Sequence, residues 1–329
     1  MRNFNYLFLF GSPEDYSPGL MSVMADKQIL KAYREDRVDL EDVGNLKTVV
    51  RCYPSQKWFI VYGGRGNDNT FTAMTGAIMG DVIGSVYKHF NVKSKLKQAE
   101  LIDPYASFTD NTVLTCAVAE GLQIGLSQLP AQWMTHPNHE KILSDSVRKA
   151  MLRYRRKYPS WDNGSAVCVS YAGWVSHTVE EAEKLAEITA KVIHSSQSGI
   201  KGLQAVAGSI MLLRMNDNKD RIRQYVGQYF DMNFTLDDIR DECRADVFDE
   251  RTVPYAIMAF LEGESFADVI TSAMSLGGDS NAIATIAGSI AEVIYPIPQF
   301  VRGEVLSRVD ETLLLAVANA VDFFWMRLP

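Results

Sequence analysis

From Met74 onward the chain repeats one texture. Apolar stretches at helical spacing, rich in Ala and Met, are parted by short breaks of Gly, Ser or Pro. The period-two alternation of a half-buried strand is almost absent from this region. Val113–Gly125, Glu140–Tyr154, Val179–His194, Gly199–Met215, Arg221–Tyr229, Val253–Leu261, Ser265–Met274, Asn281–Ile294 and Val301–Trp325 all read as helices. Ala282–Ile294 and Leu313–Phe324 are apolar nearly all round, as helices buried inside a large bundle are. No fixed-period repeat suggests a solenoid. Residues 73–329 are therefore expected to form one all-α domain, a helical bundle.

Residues 1–72 differ. An apolar, aromatic run at Asn5–Phe10 stops at the turn signal Gly11-Ser12-Pro13. Ala25–Asp36 has helical spacing. Thr48–Cys52 and Trp58–Tyr62 read as two strands around Pro54-Ser55, and 63–69 as a linker. The expectation is a small α+β extension ahead of the helical domain. Its aromatics (Phe4, Tyr6, Phe8, Phe10, Trp58, Phe59, Tyr62) either pack it onto the core or engage a partner.

Composition narrows the function classes. Of the 329 residues, 47% are hydrophobic and 22% charged, the balance of a globular protein. The net charge of −7 gives a field that repels nucleic acid. The one basic cluster, Arg153, Arg155, Arg156 and Lys157, reads best as a solvated helix end. The four cysteines are widely spaced, which argues against a disulfide framework or a zinc site and fits a reducing compartment. No apolar run approaches the ~18 residues of a membrane span. A cytoplasmic protein without nucleic-acid or membrane partners is expected. His136-Pro137-Asn138-His139 has a proline between its histidines and no evident third ligand. Gly63-Gly64-Arg65-Gly66 lacks the Lys-Ser/Thr of a phosphate loop.

Three segments place polar residues inside apolar helical sequence. Gly76–Ser85 (GAIMGDVIGS) carries one acid, Asp81, among small residues that permit close backbone approach; a tight helix crossing with Asp81 as a cap would explain it. Phe108-Thr109-Asp110-Asn111-Thr112 precedes the Val113 helix, and Leu276-Gly277-Gly278-Asp279-Ser280-Asn281 precedes the Ala282 helix. Each serves as a helix cap, or as part of a shared oxygen-lined site for a hard cation.

These segments, in this order, resemble the ADP-ribosylglycohydrolase family. The resemblance covers Thr75 to about Pro296. It rests on G-x-x-x-G-D-x-x-G-S at Gly76–Ser85, F-T-D-x-T at Phe108–Thr112 and N-G-S-A at Asn163–Ala166. It continues in G-I-K-G-x-Q-A-V-A at Gly199–Ala207, L-G-G-D-S at Leu276–Ser280 and A-G-S-I-A-E at Ala287–Glu292. The resemblance implies an all-α fold and two Mg²⁺ in a cleft. It implies hydrolysis of the bond between ADP-ribose and a protein side chain, or of related bonds. By family position, Thr109, Asp110, Asn111, Asp279 and Asn281 would face metal. Asn163, Gly164, Ser165, His194 and Gly199 would line the ligand, and Lys88 and Asp110 would stand at catalytic positions.

The sequence departs from the family pattern where charge matters most. Asn111 and Asn281 stand where the family has Asp, Ala282 where it has Thr, Cys168 where it has Arg, and Lys88 where some members carry a catalytic Glu. Two Asp-to-Asn changes and one Glu-to-Lys change make the site 2 + 2 = 4 charge units more positive. At ~5 Å and an effective dielectric of about 20, each unit costs roughly 3 kcal/mol against one positive charge. Mg²⁺ is therefore expected to bind weakly or not at all, and Lys88 cannot act as a base without strong desolvation. The leading expectation is a pseudoenzyme that binds a partner or an ADP-ribosylated target, such as an immunity protein against an ADP-ribosyltransferase toxin. Two alternatives stand beside it: a hydrolase with an altered metal site, and a sensor of ADP-ribose or a nucleotide.

Overall fold

The computed structural model describes four N-terminal strands (4–7, 38–42, 48–52, 57–61) and residues 73–87, 101–158, 166–193, 196–240 and 251–327. The strands are β1 (Phe4–Leu7), β2 (Val38–Asp42), β3 (Thr48–Cys52) and β4 (Lys57–Val61). They form one sheet in the order β1-β4-β3-β2. β1 runs parallel to β4, with Phe4 opposite Trp58; β3 lies antiparallel to both β4 and β2. β3 and β4 match the two expected strands to within a residue. β2 was not anticipated, since its five residues carry three acids and little strand signal. The expected helix at 25–36 and linker at 63–69 lie outside the described residues.

The rest is helical, and the expected all-α core is what forms. In order come α1 (Thr75–Gly84), α2 (Asp110–Ser127), α3 (His139–Lys157), α4 (Ser170–Val175) and α5 (Val179–Ile193). Then follow α6 (Gln197–Arg214), α7 (Lys219–Val226), α8 (Leu236–Ile239), α9 (Thr252–Glu262) and α10 (Phe266–Met274). The last are α11 (Ser280–Ala291), α12 (Gln299–Leu306) and α13 (Glu311–Arg327). The single helix expected over Val301–Trp325 is broken. Asp310 ends the turn after α12 and starts α13: its carboxylate accepts from the Thr312 amide (2.8 Å) and its carbonyl from Leu313 (2.9 Å). The apolar periodicity runs through this break and conceals it.

The core is one continuous cluster; Trp133, Tyr171, Phe260 and Phe266 are its largest fully buried side chains. At its centre α1 lies against α11, which also packs on α9 and α10. Three glycines inside one helix cost about 1 kcal/mol each relative to Ala. Here the contact requires them. A Cβ at Gly76 would lie 2.2 Å from the Gly288 carbonyl oxygen, and one at Gly80 would lie 2.0 Å from that of Ala284. At Gly84 it would meet the Asn281 Cα at 2.6 Å. The buried Glu292 at the end of α11 closes the crossing: its Oε2 accepts the Gly76 amide proton at 2.9 Å, capping α1. Elsewhere α2 pairs with α3 and α13, and α5 with α6. The basic cluster is the C-terminal end of α3, as its spacing predicts. There Arg153 pairs with Glu120, and Lys157 with Asp310. His139 opens α3, with its Nδ1 at 2.7 Å from the His136 carbonyl, so the histidine pair shapes a helix start.

Candidate functional site

Asp81 is the hub. It sits on α1 with no solvent exposure, and its partners come from two other helices, α2 and α11. Oδ2 accepts from the Thr109 amide (2.8 Å), the Thr112 amide (3.2 Å) and the Thr112 hydroxyl (2.6 Å). Oδ1 accepts from the Thr109 hydroxyl (2.5 Å) and from the Asn281 Nδ2 (3.3 Å). Burial pushes the Asp81 carboxyl above the usual carboxylate range, and the Thr109 and Thr112 donors pull against that rise. The carboxylate takes up amide protons that the start of α2 would otherwise leave unpaired.

Thr109 is the N-cap of α2; its Oγ1 accepts the Asn111 amide proton at 3.2 Å. The same oxygen receives Asn281 Nδ2 at 3.4 Å, so the starts of α2 and α11 meet. Both helices repeat one device a turn later: Thr115 Oγ1 donates to the Asn111 carbonyl (2.7 Å) and Thr285 Oγ1 to that of Asn281 (2.6 Å). The turn before α11 needs its two glycines, because Gly277 and Gly278 have φ of 72° and 65°. That turn delivers Asp279 to the N-cap position. The cap expected there is not made, since the Asp279 side chain forms no capping bond.

The structure thus brings Thr109, Asp110, Asn111, Asp279 and Asn281 to two adjoining helix starts beneath Asp81. Asp110 is the first residue of α2 and, like Asp279, is half-buried; Asn111 and Asn281 are buried. Gly199 lies in the first turn of α6, where its amide donates to the capping Ser196 hydroxyl (3.2 Å). Lys88, Asn163, Gly164, Ser165 and His194 lie outside the described residues. The sequence marks Asp81 as a cap and not as a site residue. Its partners stand 28, 31 and 200 residues away, so no local spacing marks it as a hub.

The donor chemistry decides how well two Mg²⁺ would fit. Both Asp81 oxygens are taken by protein donors, and the Thr109 hydroxyl is engaged on both sides. Among the described residues, no three of His, Cys, Asp and Glu come together around one point. The buried Oδ1 of Asn281, a neutral amide oxygen, is among the acceptors at the start of α11 that make no hydrogen bond among the described residues. With amides at Asn111 and Asn281, the two helix starts supply the carboxylates of Asp110 and Asp279, a poorer donor set for two cations than four acids would be. They leave an oxygen-lined polar floor whose Asn281 acceptor suits a hydroxyl or amide proton. Among the described residues no helix is long and apolar enough to cross a membrane.

Comparison with known proteins agrees with the motif order. The murine ADP-ribosylhydrolase ARH3 is 23% identical, covering 69% of this chain and 83% of that protein. The human ADP-ribosylhydrolase ARH3 is 22% identical over 69% and 85% respectively. A solved structure described as an ADP-ribosylglycohydrolase-related protein complex shares the fold with a TM-score of 0.50. It is 17% identical and covers 77% of this chain and 98% of that one. The family model for ADP-ribosylglycohydrolase matches residues 66–322, and the chain belongs to the ADP-ribosylglycohydrolase family.

Proposed function

We propose that this chain is a binding member of the family. It holds an ADP-ribosyl group or an ADP-ribosylated protein without efficient hydrolysis, and residues 1–72 engage a protein partner. One observation carries the reading. At the meeting of α1, α2 and α11, an amide of Asn281 lies against Asp81 and Thr109, and every oxygen of Asp81 is satisfied by the chain itself. A centre closed by its own donors has no need of a cation to hold it together. It also has no open carboxylate at its hub to take a proton from water. The resemblance points the same way, with Lys88 in place of a glutamate. The four-stranded sheet lies ahead of the matched region, as an accessory binding element would. An immunity protein against an ADP-ribosyltransferase toxin fits both features.

Calorimetry with ADP-ribose, with Mg²⁺ or with EDTA, tests this together with hydrolysis assays on ADP-ribosyl-arginine and ADP-ribosyl-serine substrates. Binding that ignores the metal, without turnover, is the expected result. The combined variant Lys88→Glu, Asn111→Asp, Asn281→Asp, Ala282→Thr is expected to acquire a Mg²⁺ binding signal. Robust Mg²⁺-dependent turnover by the natural sequence would overturn the reading. It would favour the second one, a hydrolase whose altered site uses the half-buried Asp110 and Asp279 with the Asn281 oxygen.

A further inference from the structure

The loop before α2 exposes a large aromatic. Tyr105 is 87% exposed, the most exposed large hydrophobic among the described residues. The loop that carries it is pinned. Arg308 Nη1 donates to the carbonyls of Asp103 (2.6 Å) and Ala106 (2.9 Å), and the Ser107 amide donates to Ser85 Oγ (3.1 Å). The Tyr105 amide itself donates to Asp103 Oδ1 at 2.8 Å. A tethered loop presents its side chain with little backbone entropy left to lose on binding.

The C-terminal end of α3 adjoins this loop. Phe108, next to the Thr109 cap, meets Tyr158 edge-on at 6.2 Å, and Tyr158 donates to Asp310 at 2.8 Å. Leading up to that end, α3 exposes Arg148, Lys149, Arg155 and Arg156, none with an ion pair among the described residues. Arg148, Leu152 and Arg155 follow one another along one helix row, and Leu152 is 53% exposed between the two cations. Attraction to the helix dipole accounts for cations in the last turn. It does not account for an uncovered leucine between arginines, and Asp145, three and four residues before Arg148 and Lys149, offsets those two cations only in part. The protein as a whole is acidic, so this face is a local reversal of its field.

We propose that Tyr105 and the cationic face of α3 form a docking surface for an acidic protein segment, beside the Thr109–Asp110 site. The inference rests on the reading above, in that the segment belongs to the protein the chain engages. Tyr and Arg are the residue types that dominate protein interfaces, and the unpaired guanidinium groups suit carboxylates. Leu152 gives such a segment an apolar contact that a phosphate backbone would leave unused, and the net charge of −7 opposes nucleic acid.

The probe is a fluorescein-labelled peptide of Glu with interspersed Leu, followed by anisotropy on the full chain. A Gln-for-Glu peptide and a single-stranded oligonucleotide serve as comparisons. The Glu peptide is expected to bind roughly tenfold tighter than its Gln counterpart. Tyr105→Ala, and Arg155→Glu with Arg156→Glu, are each expected to weaken it roughly tenfold. Tyr105→Phe is expected to retain binding. All variants are expected to keep the natural Tm and ADP-ribose affinity, because the altered side chains are exposed. Absent peptide binding, or binding indifferent to both variants, would overturn the proposal. So would tighter binding of the oligonucleotide with the same sensitivity, or sedimentation showing that the face pairs two copies of this chain. Loss of ADP-ribose binding with peptide binding intact would strike only the ligand reading of the site.

Discussion

Replacing Gly80 with alanine adds a single carbon where, among the described glycines, a Cβ would come nearest to another helix's backbone. That carbon would lie 2.0 Å from the Ala284 carbonyl oxygen, 2.3 Å from its carbon and 2.6 Å from the Thr285 nitrogen. All three are backbone atoms of α11 and cannot rotate aside. Restoring ordinary contact needs the helices to part by roughly 1.4 Å. Two hydrogen bonds to charged groups span the crossing: Gly76 to Glu292 at 2.9 Å, and Asn281 to Asp81 at 3.3 Å. Each is worth about 1.5–3 kcal/mol. Overpacking adds about 1–3 kcal/mol, and better helix propensity returns about 1. The net loss is about 3–8 kcal/mol, against a typical total of about 5–15. Gly202→Ala is the control. Its Cβ would meet only Val253 Cγ2 at 3.2 Å and Ala166 Cβ at 3.9 Å, so it should stay within about 1 kcal/mol of the natural protein. Urea denaturation followed by circular dichroism and tryptophan fluorescence measures both. A Gly80→Ala protein less than about 1 kcal/mol weaker than the control would show that the crossing is not the rigid seam described.

Asp81→Leu strands two buried amides and two hydroxyls and should cost more than about 4 kcal/mol. Asp81→Asn keeps an oxygen on the Thr109 and Thr112 amides and should cost about 1–2; equal denaturation midpoints for the two would refute the hub. Burial would raise the Asp310 carboxyl, but Lys157, Tyr158 and Thr312 hold it down at about 2, below the ordinary 3.8. A depressed carboxyl stabilises above its unfolded value, and that stability is lost as pH falls through about 2. Lys157 is half exposed, so screening reduces the effect, and Asp310→Asn should lose only about 1 kcal/mol at neutral pH, with the gap closing below pH 4 in acid titrations. Burial pushes the Cys168 thiol up to about 12 and raises Cys116 too, beside Asp81. Peptide mapping after alkylation should find both unmodified until urea unfolds the chain; fast native labelling of either would contradict their placement.

Much of the fold was legible because the core helices carry their burial in their own spacing. α2, α3, α5, α6 and α9 through α11 differ from the expected spans by only a few residues at their ends. The two helix starts were legible because Thr109 and the Gly277-Gly278 pair signal a cap and a turn locally. What could not be read was anything held at long range. The glycines of α1 allowed a close crossing, but nothing in Gly76–Ser85 names α11 as the partner. Asp279 sits at a cap position without capping, which its neighbours in sequence do not foretell. β2 escaped notice since five residues with three acids gain strand character only from the strand beside them.

The seam between α1 and α11 joins segments 216 residues apart at its Gly76–Glu292 end. The ribosome releases α1 early and α11 near the end. At roughly 5–20 residues per second, α1 waits about 10–40 s for the helix that receives its glycine face. Throughout that interval a helix whose residues are all buried in the finished fold, Asp81 among them, lacks its partner. The floor of the site does not exist until the last quarter of the chain has emerged, so premature termination before α11 yields no weakened version of this protein, only a polypeptide with Asp81 and Thr109 but no third wall.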